Sequence, residues 1–283
     1  MKILGKMLDK IGLTDSQNVK TSQKVKEETL FADNDKVTLS ENSDAEDVTF
    51  SIKVPNGNIY TKEQALFDLM RVESSADDAQ DDLIVIEDNM KKNETLKEAT
   101  GQFIRILNYC GVNCTSSAQQ NFIDIGDTLR EKQNEVRKDA VDLYMALGRA
   151  EQDTAQGMDD YLFINKYVDE KRSRKEMTEQ FINLLNFVGI NQTGYVQEYY
   201  SEIEKCILTD ENRQSALNLY MDLARTEQCT EQAMDDYLFI NKYISKEKNR
   251  EECTAQFIRI LDMVGIKNTS DAMDMFSQLN GRG

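Results

Sequence analysis

Residues 159–167 spell DDYLFINKY, and residues 235–243 spell it again 76 positions later. Held in that register without gaps, residues 140–193 match residues 216–269 at 31 of 54 positions, and a fainter third copy lies at 62–113. A fixed period of this length marks a tandem array whose units each bury an apolar face against the next. Within and beside the nonapeptide, Met158, Tyr161, Leu162 and Ile164, repeated as Met234, Tyr237, Leu238 and Ile240, recur at helical spacing.

Upstream, Leu143, Tyr144 and Leu147, matched by Leu219, Tyr220 and Leu223, form a helix A that precedes this helix B. The apolar stripe lapses between them, and Thr154 and Thr230 can start a helix. The spacing therefore predicts a tight turn or kink near 152–155 and 228–231, with one long helix as the alternative. Downstream, helix C carries Met177, Phe181, Leu184, Leu185 and Val188, then Cys253, Phe257, Ile260, Leu261 and Val264 in the third copy; the first supplies Ala99, Phe103, Ile106, Leu107 and Cys110. Gly111, Gly189 and Gly265, followed by Val112, Ile190 and Ile266, read as left-handed stops with an apolar contact. Thr115, Thr193 and Thr269, or the neighbouring Ser116 and Ser270, are then expected to cap a helix D.

The fold expected is all-α, an array of three tandem four-helix repeats of about 76 residues at 61–135, 136–211 and 212–283. The joints, residues 130–137 and 208–213, contain neither glycine nor proline, which favours stacked repeats over beads on a string. Ahead of the repeats, Val48, Phe50, Ile52 and Val54 alternate with polar residues and run into Pro55, Asn56 and Gly57, the pattern of a small β-hairpin at 48–60. Residues 14–47 are polar, acidic and aperiodic, as in a disordered linker.

Residues 1–13, MKILGKMLDKIGL, place Ile3, Leu4, Met7, Leu8 and Ile11 on one helical face and Lys2, Lys6 and Lys10 on the other. Such a short helix is marginal alone in water and forms when its apolar face is covered. A basic amphipathic tip followed by a long linker resembles the membrane-targeting tip of bacterial division-site anchor proteins, a likeness confined to these 13 residues. It implies peripheral attachment to an anionic membrane surface; docking of the same face on a protein groove is the alternative.

Composition narrows the chemistry. The 283 residues carry a net charge of -17, a single proline and no histidine. An acidic body repels phosphate backbones, so direct nucleic-acid binding is not expected and a basic protein partner is. Histidine-based acid–base catalysis is excluded, and five cysteines without paired metal-ligand spacing argue against a zinc site. The odd cysteine count and the charges that interrupt the first apolar segment point to a reduced, cytosolic setting, peripheral to the inner membrane face if the tip binds lipid.

Comparison with the divergent first copy leaves one recurring polar set: Arg71, Glu73, Asp81 and Asp82; Arg149, Glu151, Asp159 and Asp160; Arg225, Glu227, Asp235 and Asp236. Each set brackets the A–B turn. An arginine before the turn facing aspartates after it would make a charge-assisted pair that fixes the hairpin. The sharper alternative is a divalent-cation site, because clustered carboxylates suit Mg²⁺ or Ca²⁺. Acidic pairs on neighbouring helices are similar to those of all-α nucleotide pyrophosphatases, but that family's ExxE spacing appears only at Glu176 and Glu179. Tyr195, Tyr199 and Tyr200 on helix D of the middle copy are a candidate interface, since helix D varies most among copies.

The function expected is a non-enzymatic adaptor or scaffold, without metal or cofactor, that binds a protein partner through the repeats. An acidic inhibitor or nucleic-acid mimic and a metal-dependent all-α hydrolase are the alternatives.

Overall fold

The computed structural model describes residues 60–281 apart from 74, 131–134, 209–210 and 246. The amphipathic tip, the linker and nearly all of the hairpin expected from sequence lie outside the described residues. Within them the chain is all-α, with twelve helices and no strand. These fall into three sets of four: α1 (Lys62–Met70), α2 (Ala76–Asn89), α3 (Leu96–Cys110) and α4 (Thr115–Leu129); α5 (Arg137–Glu151), α6 (Thr154–Asn165), α7 (Arg174–Val188) and α8 (Thr193–Cys206); α9 (Arg213–Glu227), α10 (Thr230–Asn241), α11 (Arg250–Val264) and α12 (Thr269–Leu279). By their contacts the described residues group into two compact units, divided between Ile104 and Arg105.

In the first unit, Thr61 opens α1 with a capping box in which its side chain accepts from the Gln64 N–H while the Gln64 side chain accepts from the Thr61 N–H. Ser75 caps α2, and Lys62 of α1 reaches Glu87 of α2 at 2.6 Å. Ala65, Leu69, Ala79 and Ile86 are fully buried.

The second unit shows how one repeat meets the next. Gly111, Gly189 and Gly265 stop their helices at φ values of 103°, 125° and 95°, a region that side chains with a Cβ avoid. Tyrosines on helix A fill each joint. Tyr144 lies edge-on to Tyr109 of α3 at 5.5 Å and its hydroxyl accepts from Asn121 of α4 at 2.9 Å. Tyr220 stands 6.5 Å from Phe187 of α7 and 5.7 Å from Tyr199 of α8. An aromatic wedge of this size supplies roughly 1.5–3 kcal/mol by burial, and its ring contacts add to that.

Buried arginines complete the joints. Arg174, at the start of α7, donates to Glu135, to Asn165 and to the Thr128 carbonyl near the end of α4, and it lies over the Tyr161 ring. Arg250, at the start of α11, does the same with Glu211, the Cys206 carbonyl at the end of α8 and the Tyr237 ring. Placing a guanidinium on the last carbonyls of a helix satisfies acceptors that have no intrahelical donor and complements the negative end of the dipole.

Inside the middle repeat, α5 and α6 pass at Gly148 and Gly157 so closely that a Cβ on Gly157 would lie 2.4 Å from the Gly148 Cα. The matching positions in the third repeat are Ala224 and Ala233, both buried.

Candidate functional site

The predicted break between helices A and B is a turn. Helix α5 ends at Glu151, Gln152 adopts a positive φ of 58°, and Asp153 caps α6 by accepting from the N–H groups of Ala155 and Gln156 at 2.8 and 3.1 Å. The third repeat repeats it with Gln228 at φ 57°, while Cys229 gives α10 no side-chain cap. A non-glycine residue in this region costs on the order of 1 kcal/mol, so the turn is held by what lies around it.

What lies there is a pair of carboxyl groups, not an arginine and an aspartate. Asp160 and Asp236 are fully buried, and Glu151 and Glu227 are 7% exposed. The Glu151 carboxyl neighbours that of Asp160, and the Glu227 carboxyl neighbours that of Asp236. Two carboxyls buried side by side are both acceptors, and they attract only when one of them carries a proton. Glu151 Oε1 and Asp160 Oδ2 are buried and face no donor from another residue. The outer oxygens are supplied: Thr193 donates to Glu151 Oε2 at 2.8 Å, and Gln197 and Gln156 donate to Asp160 Oδ1 at 2.7 and 3.3 Å.

Burial, then the neighbouring Glu151, pushes the Asp160 carboxyl up to about 8, against the pull of the Gln197 and Gln156 amides, which lower it. In the third repeat both Glu227 oxygens are buried without another donor, whereas Asp236 Oδ1 accepts from Gln232 at 3.2 Å. There burial and Asp236 push Glu227 up to about 10, and burial also raises Asp236. The slot filled by Gln197 is Met273 in that copy, which has no donor to give.

The arginines expected opposite the aspartates point elsewhere. Arg71 pairs with Asp68 and Arg225 with Asp222, each on its own helix, and Arg225 also stacks over Phe187 at 5.2 Å. Arg149 is exposed, 5.9 Å from the Tyr109 ring. The reason is helical geometry: residues two apart lie on nearly opposite faces, so once Glu151 points inward Arg149 points out. Asp81, Asp159 and Asp235 are exposed, while Asp82 is buried like its two counterparts.

Two other expectations are corrected. Thr115, Thr193 and Thr269 are the first residues of helix D rather than its caps, which are Cys114, Gln192 and Asn268 without side-chain hydrogen bonds. Thr193 is drawn to the carboxyl pair instead. Of the three tyrosines, Tyr199 and Tyr200 are buried, the first in the joint against Tyr220 and the second against Phe181 at 5.6 Å. Only Tyr195, 51% exposed, reaches the surface. Beside the carboxyl pair, a groove of 380 Å³ is lined by Gln156, Asp159, Phe163, Lys166, Thr193 and Gln197 among others.

Among the described residues no group of three or more acidic or cysteine side chains is placed to hold a metal ion, and no helix is long and apolar enough to cross a membrane. Comparison with protein-family models, curated proteins and solved structures gave no match to this chain.

Proposed function

We propose that the protein is a non-enzymatic adaptor that holds a protein partner on its helical repeats and is tethered to an anionic membrane face by residues 1–13. The observation that carries the reading is a division of labour among side chains. Of the acidic residues common to the copies, Glu151 with Asp160 and Glu227 with Asp236 are buried against each other, while Asp159 and Asp235 stay exposed. The exposed Tyr195, by contrast, occupies a slot that holds Ser117 and Asp271 in the other copies. Positions that hold the repeats together recur, and a large exposed side chain varies, as expected where partner choice resides. The tip supplies five apolar and three basic side chains, enough for weak attachment that benefits from avidity.

Flotation with anionic phosphatidylglycerol vesicles tests the tether: the full chain should float, and a chain lacking residues 1–13 should not. Equal flotation of both would sink it. A photoreactive residue at position 195 should cross-link one discrete protein in native cells, and the same residue at buried position 199 should not. The net charge of -17 also favours a second reading, an acidic inhibitor seated in a basic groove. A complex of that kind would weaken steeply with added salt, whereas one built on Tyr195 would not.

A further inference from the structure

In each joint of the second unit, the tyrosine of an incoming helix A is held between one residue of the preceding helix C and one of helix D. Tyr109 and Asn121 hold Tyr144; Phe187 and Tyr199 hold Tyr220. In the last repeat these two slots are Met263 and Met275, and among the described residues no helix A covers them. Met263 is 72% exposed. Leu279 is 63% exposed in the slot where Ile125 and Ile203 are buried. Arg259, also exposed, stands in the slot of Arg105, which forms an ion pair with Asp142 of the incoming helix. Helices α11 and α12 thus present the face that α5 and α9 cover elsewhere.

The chain contains a helix of the right build to cover it. Helix α1 is the first of the A helices, and its register puts Leu66 in the slot of Tyr144 and Tyr220 and Phe67 in that of Met145 and Met221. Met145 belongs to a joint, its carbonyl accepting from the Tyr109 hydroxyl at 3.2 Å, and Met221 is 8% exposed. Phe67 is 40% exposed. The slot of Asp142 is Gln64, and the exposed Glu63 beside it offers the negative charge that Arg259 lacks. Flexible thioethers accommodate a leucine or phenylalanine as readily as a tyrosine.

We infer that the α11–α12 face of one copy seats helix α1 of a second copy, repeating between chains the joint that the chain already makes within itself. The two patches are different surfaces, so the contact is heterologous and leaves a free patch at each end of a dimer. Assembly then continues into open chains, or into rings where the rotation closes.

Light scattering on the full chain over a dilution series, without membrane or other partner, tests this separately from the adaptor reading. The average mass should rise with concentration past that of a dimer. Met263→Glu and Phe67→Glu should each weaken association at least about tenfold, leaving monomers where the parent associates. Mixed in equal amounts, the two variants should recover a dimer and nothing larger, because each retains one intact patch. A parent chain that stays monomeric, a variant that associates like the parent, or a mixture that fails to dimerise overturns the inference. Leu279→Glu and Phe67→Ser replace either variant whose circular dichroism melt departs from that of the parent.

Discussion

The carboxyl of Asp160 is fully buried against that of Glu151, across a two-residue turn that joins α5 to α6. Two acids in such a place cannot both be ionised without repelling each other in a medium that screens poorly. The hairpin is therefore closed by a proton, and its neighbours Thr193, Gln156 and Gln197 tie that proton-holding pair to α6 and α8.

The pH dependence follows with a definite sign. Asp160 has a native value of about 8, above its ordinary 3.8, so the folded state binds more protons between those values. Its contribution to stability is complete at acid pH and is lost as pH rises through about 8; that of Glu227 is lost as pH rises through about 10. Urea midpoints should thus fall from pH 6 to pH 9. Asp160→Asn, which can donate to Glu151 without a titrating proton, should flatten that fall and be more stable than the parent at pH 9 by more than about 1 kcal/mol. Parallel pH profiles for variant and parent would remove the shared proton from the account.

A second expectation concerns the glycines of the same hairpin. Gly157→Ala improves helix propensity by about 1 kcal/mol, yet its Cβ would meet the backbone of Gly148 at 2.4 Å. Backbone cannot move aside as a flexible side chain does. The substitution should cost a net of about 1–3 kcal/mol in denaturant titrations. Ala233→Gly, at the matching position of the third repeat, removes a buried methyl and should be destabilising for the opposite reason, a void.

How far the sequence reveals this arrangement depends on what kind of fact is asked of it. The helices, their glycine stops and the A–B turn follow from apolar periodicity and from Gly111, Gly189 and Gly265, all of them local signals. The carboxyl pair is half visible: Glu151 and Asp160 belong to the recurring polar set, but charge complementarity alone selects Arg149 as the partner. Counting helical faces from Tyr144 and Leu147 would have placed Arg149 outside and Glu151 within. The proton itself leaves no mark in a sequence. Nor does the joint role of Arg174 and Arg250, whose partners Glu135 and Glu211 lie 39 residues away.

The thiols should divide by exposure. Cys114 and Cys229 are exposed, Cys206 and Cys253 buried, and burial raises the thiol values of the latter two. Since the thiolate is the reactive form, a brief alkylation of the native protein followed by peptide mass spectrometry should modify Cys114 and Cys229 first. Early labelling of Cys253 would mean that α11 opens readily from its neighbours.

Arg250 offers the sharpest test of the joints. Its side chain is 2% exposed and bonds Glu211 and the Cys206 carbonyl while lying 4.8 Å from the centre of the Tyr237 ring. Arg250→Ala would strand Glu211, 16% exposed, beside an unsatisfied helix end, and should cost about 3–5 kcal/mol. Arg250→Lys keeps the charge but not the planar fork, so it cannot serve the carboxylate and the carbonyl together and should recover less than half of the loss. Removing both charges, as in Arg250→Met with Glu211→Leu, eliminates the stranded carboxylate and should be milder than Arg250→Ala. If the double variant is instead the least stable of the three, the ion pair holds the joint by its own attraction and not by sparing Glu211 an unpaired burial.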